Sequence, residues 1–246
     1  MAPRRENLLK LLLLHLFYQF SSIMSNSTAG YARDNNLQLF SKSSEYLEKL
    51  SSYGIIEKGH FEYKGKAEDG SRLRGEYFVN FRKLKTNQEI EISGLYWDAI
   101  EEFLGDKIQD LIIVGVAFGS LSLPKVIQTL GFEKYQIEYA YTEKRDGKLG
   151  LYGEQAEKCR GKHILFIEDV FNNGTSLKEL NAEISEKQES LEISGYSFLY
   201  GVHRGHSFSD EPKGNLFAMT QIYAPAVHHS KLSAEVLNLP LKEYKK

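Results

Sequence analysis

The segment HILFIEDVFNNGTSLKEL, residues His163–Leu180, places an apolar run, two acids, a polar loop and a helical pattern in direct succession. The apolar run His163–Ile167 is typical of a strand buried on both faces, and Thr175–Glu186 has the apolar spacing of a helix. Parallel strands need a crossover of this kind, because the chain must return to the other end of the sheet before the next strand. The segment therefore predicts an α/β fold with a parallel sheet.

The sequence around this segment continues the alternation of strands and helices. Apolar runs predict further strands at Leu111–Val116, Gln136–Thr142 and Gly195–Val202. Helical spacing predicts helices at Glu89–Leu104 and Leu121–Leu130, whereas the polar, glycine-rich stretch 143–153 has neither pattern. We expect a mostly parallel, twisted sheet flanked by helices.

The part of the chain before residue 86 has a different pattern. Ser41–Tyr53 has the spacing of a short amphipathic helix, and the stretch 60–81 alternates, turns at Asp69-Gly70 and alternates again. We expect a small helix-and-hairpin hood over residues 41–85, followed by the core and C-terminal elements over residues 86–246, in a single domain.

Residues 1–40 are predicted to be an N-terminal extension or leader, with disorder as one option. The apolar stretch Leu8–Phe20 is interrupted by a lysine and a histidine, so it is too short and too charged to span a bilayer. Three interpretations of residues 1–23 stay open: a secretory or organellar leader, an amphipathic helix, or an upstream extension of a chain whose translation begins at Met24.

Charge and cysteine content argue against several classes of protein. The 31 basic and 33 acidic residues give a net charge of -2, so no global field attracts nucleic acid or an anionic membrane. The single cysteine, Cys159, cannot form an internal disulfide, and the sequence has no Cys/His cluster with zinc spacing. We predict a cytoplasmic protein with no nucleic-acid partner and, for the mature domain, no membrane partner.

The loop after the apolar run carries groups that suit a sugar phosphate. A helix N-terminus has amide groups without internal partners and the positive end of the helix dipole, so it attracts phosphate. Gly174 lets the backbone approach closely, and Thr175 and Ser176 add hydroxyl donors. Glu168 and Asp169 would repel the phosphate unless they contact something else, and sugar hydroxyls or a hydrated divalent ion suit them.

The stretch ILFIEDVFNNGTS resembles the signature with which type I phosphoribosyltransferases bind 5-phosphoribosyl-1-pyrophosphate, PRPP. The resemblance implies that Glu168 and Asp169 contact the ribose hydroxyls. It also implies that the 5-phosphate is bound by the loop residues Asn172, Asn173, Gly174, Thr175 and Ser176. A generic strand-turn-helix, in which the acids only cap the helix, is the alternative interpretation.

Three further stretches resemble the orotate phosphoribosyltransferases, a branch of that family. GHFEYKGK followed by GEYFVNFRKL is similar to the hairpin that contacts the orotate ring, which implies base-binding roles for Lys64 and Phe78. YGVHRGH is similar to the strand end whose arginine binds the orotate carboxylate, here Arg204. VGVAFGSLSLP is similar to the pyrophosphate loop, which implies PRPP contacts for Ala117, Phe118, Gly119 and Ser120. The alternatives are a surface charge for Lys64, a core position for Phe78 and an ion pair between Arg204 and Asp210.

The stretch YTEKRDGKLG resembles the family's catalytic loop but also departs from it. Lys144 and Arg145 keep its basic character, which implies catalytic roles for both. Gly147 stands where the family has a histidine, and Gly119 stands where the pyrophosphate loop has a lysine. Each change removes a polar contact to the leaving group, so the chain is either a divergent enzyme or a nonenzymatic relative.

The resemblance implies a magnesium-dependent glycosyltransferase that converts PRPP and orotate into orotidine 5-monophosphate and pyrophosphate, a step of pyrimidine nucleotide synthesis. The resemblance also implies that Glu168 and Asp169 share catalysis with the basic loop and that Mg²⁺ comes mainly with PRPP. The protein ligands of the metal are left open, with water-mediated contacts to Glu168 and Asp169 as one option. A homodimer is also implied. The alternatives are a noncatalytic PRPP-binding or regulatory relative, and a phosphoribosyltransferase for another base.

Overall fold

The structure is a computed structural model that describes residues 37–116, 122–172, 174–205 and 214–243, without the side chain of Lys64. Residues 1–36 of the predicted leader, the pyrophosphate-loop residues Ala117–Ser120, and the residues Asn173 and Asp210 lie outside the described residues. Within the described part, no helix has the length and hydropathy needed to cross a membrane.

A six-stranded sheet forms the centre of the fold. In order across the sheet its strands are β1 (Leu37–Leu39), β10 (Asn215–Gln221), β9 (Gly195–His203), β8 (His163–Phe171), β4 (Leu111–Gly115) and β5 (Glu138–Tyr141). All five neighbouring pairs are parallel. The predicted α/β fold with a mostly parallel sheet is therefore confirmed.

Two crossover helices place a ligand crevice in this sheet. Helix α3 (Ser122–Tyr135) lies between β4 and β5 in the chain, and α5 (Thr175–Lys187) lies between β8 and β9. β4 and β8 are neighbours, but the chain leads from β4 outward to β5 and from β8 in the opposite direction to β9. Because both connections are right-handed, the two helices lie on opposite faces of the sheet. In open α/β sheets, ligands bind at the carboxyl ends of the strands at such a switch point.

The helices pack on the sheet through buried side chains at helical spacing. Helix α2 (Thr86–Leu104) buries Ile92, Tyr96 and Ile100, and helix α1 (Ser43–Ser52) packs beside it, with the rings of Tyr46 and Tyr96 edge to face at 5.8 Å. On the other face, α5 buries Leu177, Leu180 and Ile184 against a cluster that includes Phe166 and Phe198.

The hood is a second, smaller sheet. Strands β2 (Ile56–Lys66) and β3 (Arg72–Val79) are antiparallel, and β11 (Leu241–Glu243) pairs with β2 in parallel. The turn lies at the predicted position, where the Asp69 carboxylate accepts hydrogen bonds from the backbone amide and the hydroxyl of Ser71 at 2.9 and 2.6 Å. The remaining short elements are helices α4 (Glu154–Glu157) and α6 (Ala234–Leu237) and 3-10 turns at Phe81–Lys83, Gly105–Asp110 and His229–Lys231.

Several features differ from the sequence-based expectation, and helix α3 is one of them, because it ends at Tyr135 and not at the predicted Leu130. Strand β8 continues to Phe171, four residues beyond the predicted end, because β9 pairs with it as far as His203. Strand β1 belongs to the main sheet although it lies in the segment 1–40 that was predicted as an extension or leader. The stretch 143–153 contains a hairpin, formed by β6 (Glu143–Arg145) and β7 (Lys148–Gly150). Its turn is Asp146-Gly147, with φ of 49° and 81°, which is the backbone that a two-residue hairpin turn requires.

Candidate active site

The carboxyl end of β8 forms one wall of the crevice. β4 pairs with β8 only as far as the pair Gly115 and Ile167, whereas β9 continues beside it to Phe171. Beyond Ile167, therefore, one edge of β8 has no neighbouring strand among the residues that the structure describes. Glu168 and Asp169 lie in this half-paired part of the strand and not after it.

The two acids lie on opposite faces of the sheet because side chains alternate along a strand. Glu168 accepts a hydrogen bond from the Ser176 hydroxyl at 2.9 Å, on the face that α5 covers. Asp169 accepts from the backbone amide of Val170 at 2.9 Å, and its charge acts on Tyr96 of α2, on the other face. Both carboxylates can reach one ligand only if that ligand lies over the strand edge between them.

Burial changes the acidity of both groups. Burial, and then the charge of Asp169, raise the pKa of Glu168 to about 8, although the hydrogen bond from Ser176 acts in the opposite direction. Burial also raises the pKa of Asp169, against the opposing effects of backbone hydrogen bonds and the positive charge of Arg82. At neutral pH Glu168 is therefore mostly protonated until a ligand or cation favours its charged form.

The loop after β8 leads into the N-terminus of α5. Gly174 precedes the first helical residue with φ of 71°, a left-handed backbone that glycine adopts without strain. Having no side chain, Gly174 gives the helix no side-chain cap. Thr175 and Ser176 form that first turn, and the Ser176 hydroxyl is already bound to Glu168.

Arg204 follows β9, next to this loop. Only 7% of the residue is exposed, and Nη1 donates to the Asn172 side-chain oxygen at 2.9 Å. Nη2 donates to the hydroxyl oxygen of Tyr63 at 2.8 Å, and the guanidinium carbon lies 4.7 Å from the centre of the Tyr63 ring. Nε is buried and has no hydrogen-bond partner within the described residues. Asn172, predicted to bind the sugar phosphate, thus contacts the predicted base-binding arginine.

The hood contributes an aromatic surface, but not every predicted residue can be placed. Phe78 is half-buried and its ring stacks on Phe61, with centroids 5.5 Å apart. Lys64 lies in β2, and its side chain is outside the described residues. Tyr63 was missed by the sequence analysis, because alternation along a strand shows that a residue is packed but not what it contacts in the distant core.

The hairpin of β6 and β7 carries the two basic residues that were predicted to be catalytic, Lys144 and Arg145. Arg145 donates to the Glu143 carboxylate at 2.9 and 3.0 Å, and its guanidinium lies 4.6 Å from the centre of the Tyr152 ring. Lys144 is exposed. The backbone amide of Leu149 donates to a carboxylate oxygen of α5 at 3.0 Å, so the hairpin is attached to the helix that forms the predicted phosphate site.

Comparison with known proteins finds similar sequences and similar folds. No family model matches the chain. The orotate phosphoribosyltransferase of Yarrowia lipolytica is 24% identical over 185 residues, which cover 73% of this chain and 79% of that protein. The crystal structure of the orotate phosphoribosyltransferase of Francisella tularensis overlaps with a TM-score of 0.50 at 19% identity, over 74% of this chain and 84% of that one.

The chain has the fold of the type I phosphoribosyltransferases and is similar in sequence to an orotate phosphoribosyltransferase. The predicted resemblance to the type I phosphoribosyltransferases, and to their orotate branch, is thereby confirmed, and the similarity extends over most of the chain. In this family fold, the crevice between the ends of β4 and β8 is the candidate active site.

Proposed function

We propose that this protein is a phosphoribosyltransferase that transfers the phosphoribosyl group of PRPP to orotate, giving orotidine 5-monophosphate and pyrophosphate. The proposal rests mainly on the surroundings of Arg204. Its guanidinium is buried at the carboxyl edge of the sheet and has no acidic partner within the described residues. A buried cation of this kind suits a planar carboxylate, which can accept two parallel hydrogen bonds from it. Orotate carries such a group, whereas purine bases and uracil do not.

The sugar phosphate would lie between the base site and the open edge of β8. Glu168 and Asp169 would contact the ribose hydroxyls from the two sides of the strand edge. The loop Asn172–Ser176 would bind the 5-phosphate with its backbone amides and hydroxyls at the start of α5. Residues Ala117–Ser120, which follow β4, would bind the pyrophosphate, and Lys64 and Phe78 would contact the base.

The reaction is a displacement at the anomeric carbon, in which the base nitrogen attacks while pyrophosphate leaves and positive charge develops on the sugar. It needs no covalent enzyme intermediate, so the chain's residues act by placing two anions and stabilising charge. Glu168 and Asp169, when ionised, would favour the positive charge on the sugar. Lys144 and Arg145 would cover the departing pyrophosphate once Arg145 leaves Glu143.

Mg²⁺ would neutralise the oxygens of the leaving pyrophosphate. Within the described residues, no three His, Cys, Asp or Glu side chains are grouped to hold a metal ion. Glu168 and Asp169 are half-buried residues, and their carboxylates would fit an ion that keeps most of its water and is carried by substrate phosphates. We also propose that the protein acts as a cytoplasmic homodimer, as the family resemblance implies.

A noncatalytic PRPP-binding protein is the second candidate. Two observations favour it: Arg145 is bound within its own hairpin, and Gly147 forms the hairpin turn at the position of the family's histidine. A third candidate is a phosphoribosyltransferase for another base, which would leave the Arg204 guanidinium without a carboxylate.

The decisive experiment follows the fall in orotate absorbance when the protein is mixed with PRPP, Mg²⁺ and orotate. Arg204→Ala should raise the KM for orotate about 30-fold or more and leave that for PRPP within about threefold, because removing one partner of a buried charged contact costs roughly 2–5 kcal/mol. Arg160→Ala is the matched control, since Arg160 is an exposed arginine paired with Glu157. Equal changes in both KM values would contradict the role of Arg204.

A second variant separates the enzyme from a binding protein. Asp169→Asn keeps the shape of the side chain but removes its charge, so turnover should fall if Asp169 contacts the ribose. Turnover that is unchanged would reject that contact. If the parent protein shows no turnover but calorimetry shows that it binds PRPP with Mg²⁺, the noncatalytic candidate replaces the enzyme.

A further inference from the structure

Tyr63 connects the hood to the base-binding arginine across 141 residues of sequence. Its hydroxyl donates its proton to the backbone carbonyl oxygen of Tyr77 in β3. The lone pairs of the same oxygen are therefore directed to other donors, and Nη2 of Arg204 donates to it at 2.8 Å. The roles in this chain of hydrogen bonds are fixed, because arginine can only donate.

The hood is shaped to hold the Tyr63 ring in this place. A Cβ atom on Gly75 of β3 would lie 2.5 Å from the Tyr63 hydroxyl oxygen and 2.6 Å from Cε2, so only glycine leaves room for the ring. The ring also lies over the guanidinium, 4.7 Å from its carbon atom. Tyr63 thus contacts Arg204 both through its hydroxyl and through its face.

These contacts leave Arg204 with donors for a ligand. Asn172 accepts from Nη1 and Tyr63 accepts from Nη2, so the guanidinium is held at both of its ends. Nε, the guanidinium nitrogen next to the aliphatic part of the side chain, is buried and has no partner in the described part of the chain. An unpaired charged donor is costly in a residue that is only 7% exposed, and the cost is removed when an acceptor enters.

We propose that Tyr63 is a positioning residue that orients Arg204 for a substrate carboxylate and so favours bases that carry one. This inference rests on the proposed function, because it concerns how the same site selects its base. Tyr63 does not itself need to contact the carboxylate. It holds the plane of the Arg204 guanidinium in an orientation that lets a carboxylate accept two parallel hydrogen bonds from it.

The test is Tyr63→Phe, which keeps the ring and removes the hydroxyl. We expect the KM for orotate to rise about tenfold, the usual loss for a hydrogen bond to a charged group, with kcat and the KM for PRPP changed less than about twofold. Tyr77→Phe is the matched control, because it removes another hood hydroxyl and keeps the backbone carbonyl that Tyr63 uses. Thermal unfolding of both variants would verify that the hood remains folded.

Binding of two nucleotides separates positioning from packing. Calorimetry should show about tenfold weaker binding of orotidine 5-monophosphate to Tyr63→Phe, and less than about twofold weaker binding of uridine 5-monophosphate, which lacks the carboxylate. Equal weakening of both nucleotides would mean that Tyr63 only packs the hood, and it would overturn the inference.

A double-mutant cycle tests whether Tyr63 acts through Arg204. In an Arg204→Ala background, Tyr63→Phe should have no further effect on orotidine 5-monophosphate binding, and additive losses would overturn the inference. If the parent protein binds the two nucleotides equally, orotate recognition itself fails and the inference fails with it. If the parent prefers orotidine 5-monophosphate and Tyr63→Phe keeps the full preference, only the inference fails.

Discussion

Replacing Glu168 by glutamine should make the free protein more stable at neutral and alkaline pH. Glu168 lies in the half-paired end of β8, where burial and the charge of Asp169 raise its pKa to about 8 from an ordinary value of 4.5. Glutamine has nearly the same shape, can still accept the hydrogen bond from Ser176, and cannot ionise. The substitution therefore removes the cost of a buried charge and little else.

The sign of the pH dependence follows from proton binding. Because the folded protein holds the Glu168 proton more tightly than the unfolded chain, stability falls as the pH rises from about 4.5 to about 8. A pKa of about 8 instead of 4.5 corresponds to at most about 5 kcal/mol at high pH. Partial exposure and sharing of the charge with Asp169 reduce this, so we expect Glu168→Gln to gain about 2 kcal/mol at pH 9.

Urea unfolding at pH 5, 7 and 9, without ligands, measures this difference. The parent protein and Glu168→Gln should be about equally stable at pH 5, and the variant should become progressively more stable as the pH rises. Glu186→Gln is the control, because Glu186 is an exposed acid in α5. If the difference between Glu168→Gln and the parent stayed constant from pH 5 to 9, the Glu168 carboxyl would not be the buried, protonated group described here.

The remaining predictions concern close packing, thiol reactivity and ligand-linked proton release. Gly201→Ala should destabilise the protein by about 1–3 kcal/mol in urea unfolding, since its Cβ would lie 2.6 Å from the Asp169 carbonyl oxygen. Gly94→Ala, a helix position with open space around it, should instead stabilise by about 0.5–1 kcal/mol. The buried Cys159 thiol, whose pKa burial raises to about 12, should react with a thiol reagent at pH 8 only as fast as the protein opens. Binding of PRPP with Mg²⁺ at pH 7 should release up to about one proton, seen by calorimetry in buffers of different ionisation enthalpy and absent in Glu168→Gln.

The strands and helices of the core could be predicted because each buries a face with its own periodicity. Helix α2 shows this in Ile92, Tyr96 and Ile100, and β4 shows it as an uninterrupted apolar run. Strands β1 and β11 have three residues each and are largely exposed, so their sequences carry no pattern of burial. They are strands because a neighbour supplies hydrogen bonds, which is information that a local stretch does not contain.

The candidate site could be predicted to the extent that it is local in sequence. The acids of β8, Gly174 and the start of α5 lie within a dozen residues, and their order alone indicates a sugar-phosphate site. The contacts of Arg204 could not be predicted, since its partners come from the hood and from the loop after another strand. The end of β8 was misplaced because β9, rather than apolar character, extends it past Ile167.

The placement of Glu168 and Asp169 on opposite faces has a mechanical consequence. Glu168 faces the layer that contains α5, and Asp169 faces the layer that contains α2. A single sugar that contacts both carboxylates would link the two helical layers directly. Without the sugar, the sheet lies between these layers and connects them. Occupancy of the crevice would then slow amide exchange in α2 and α5 together, although the two helices lie on opposite sides of the molecule.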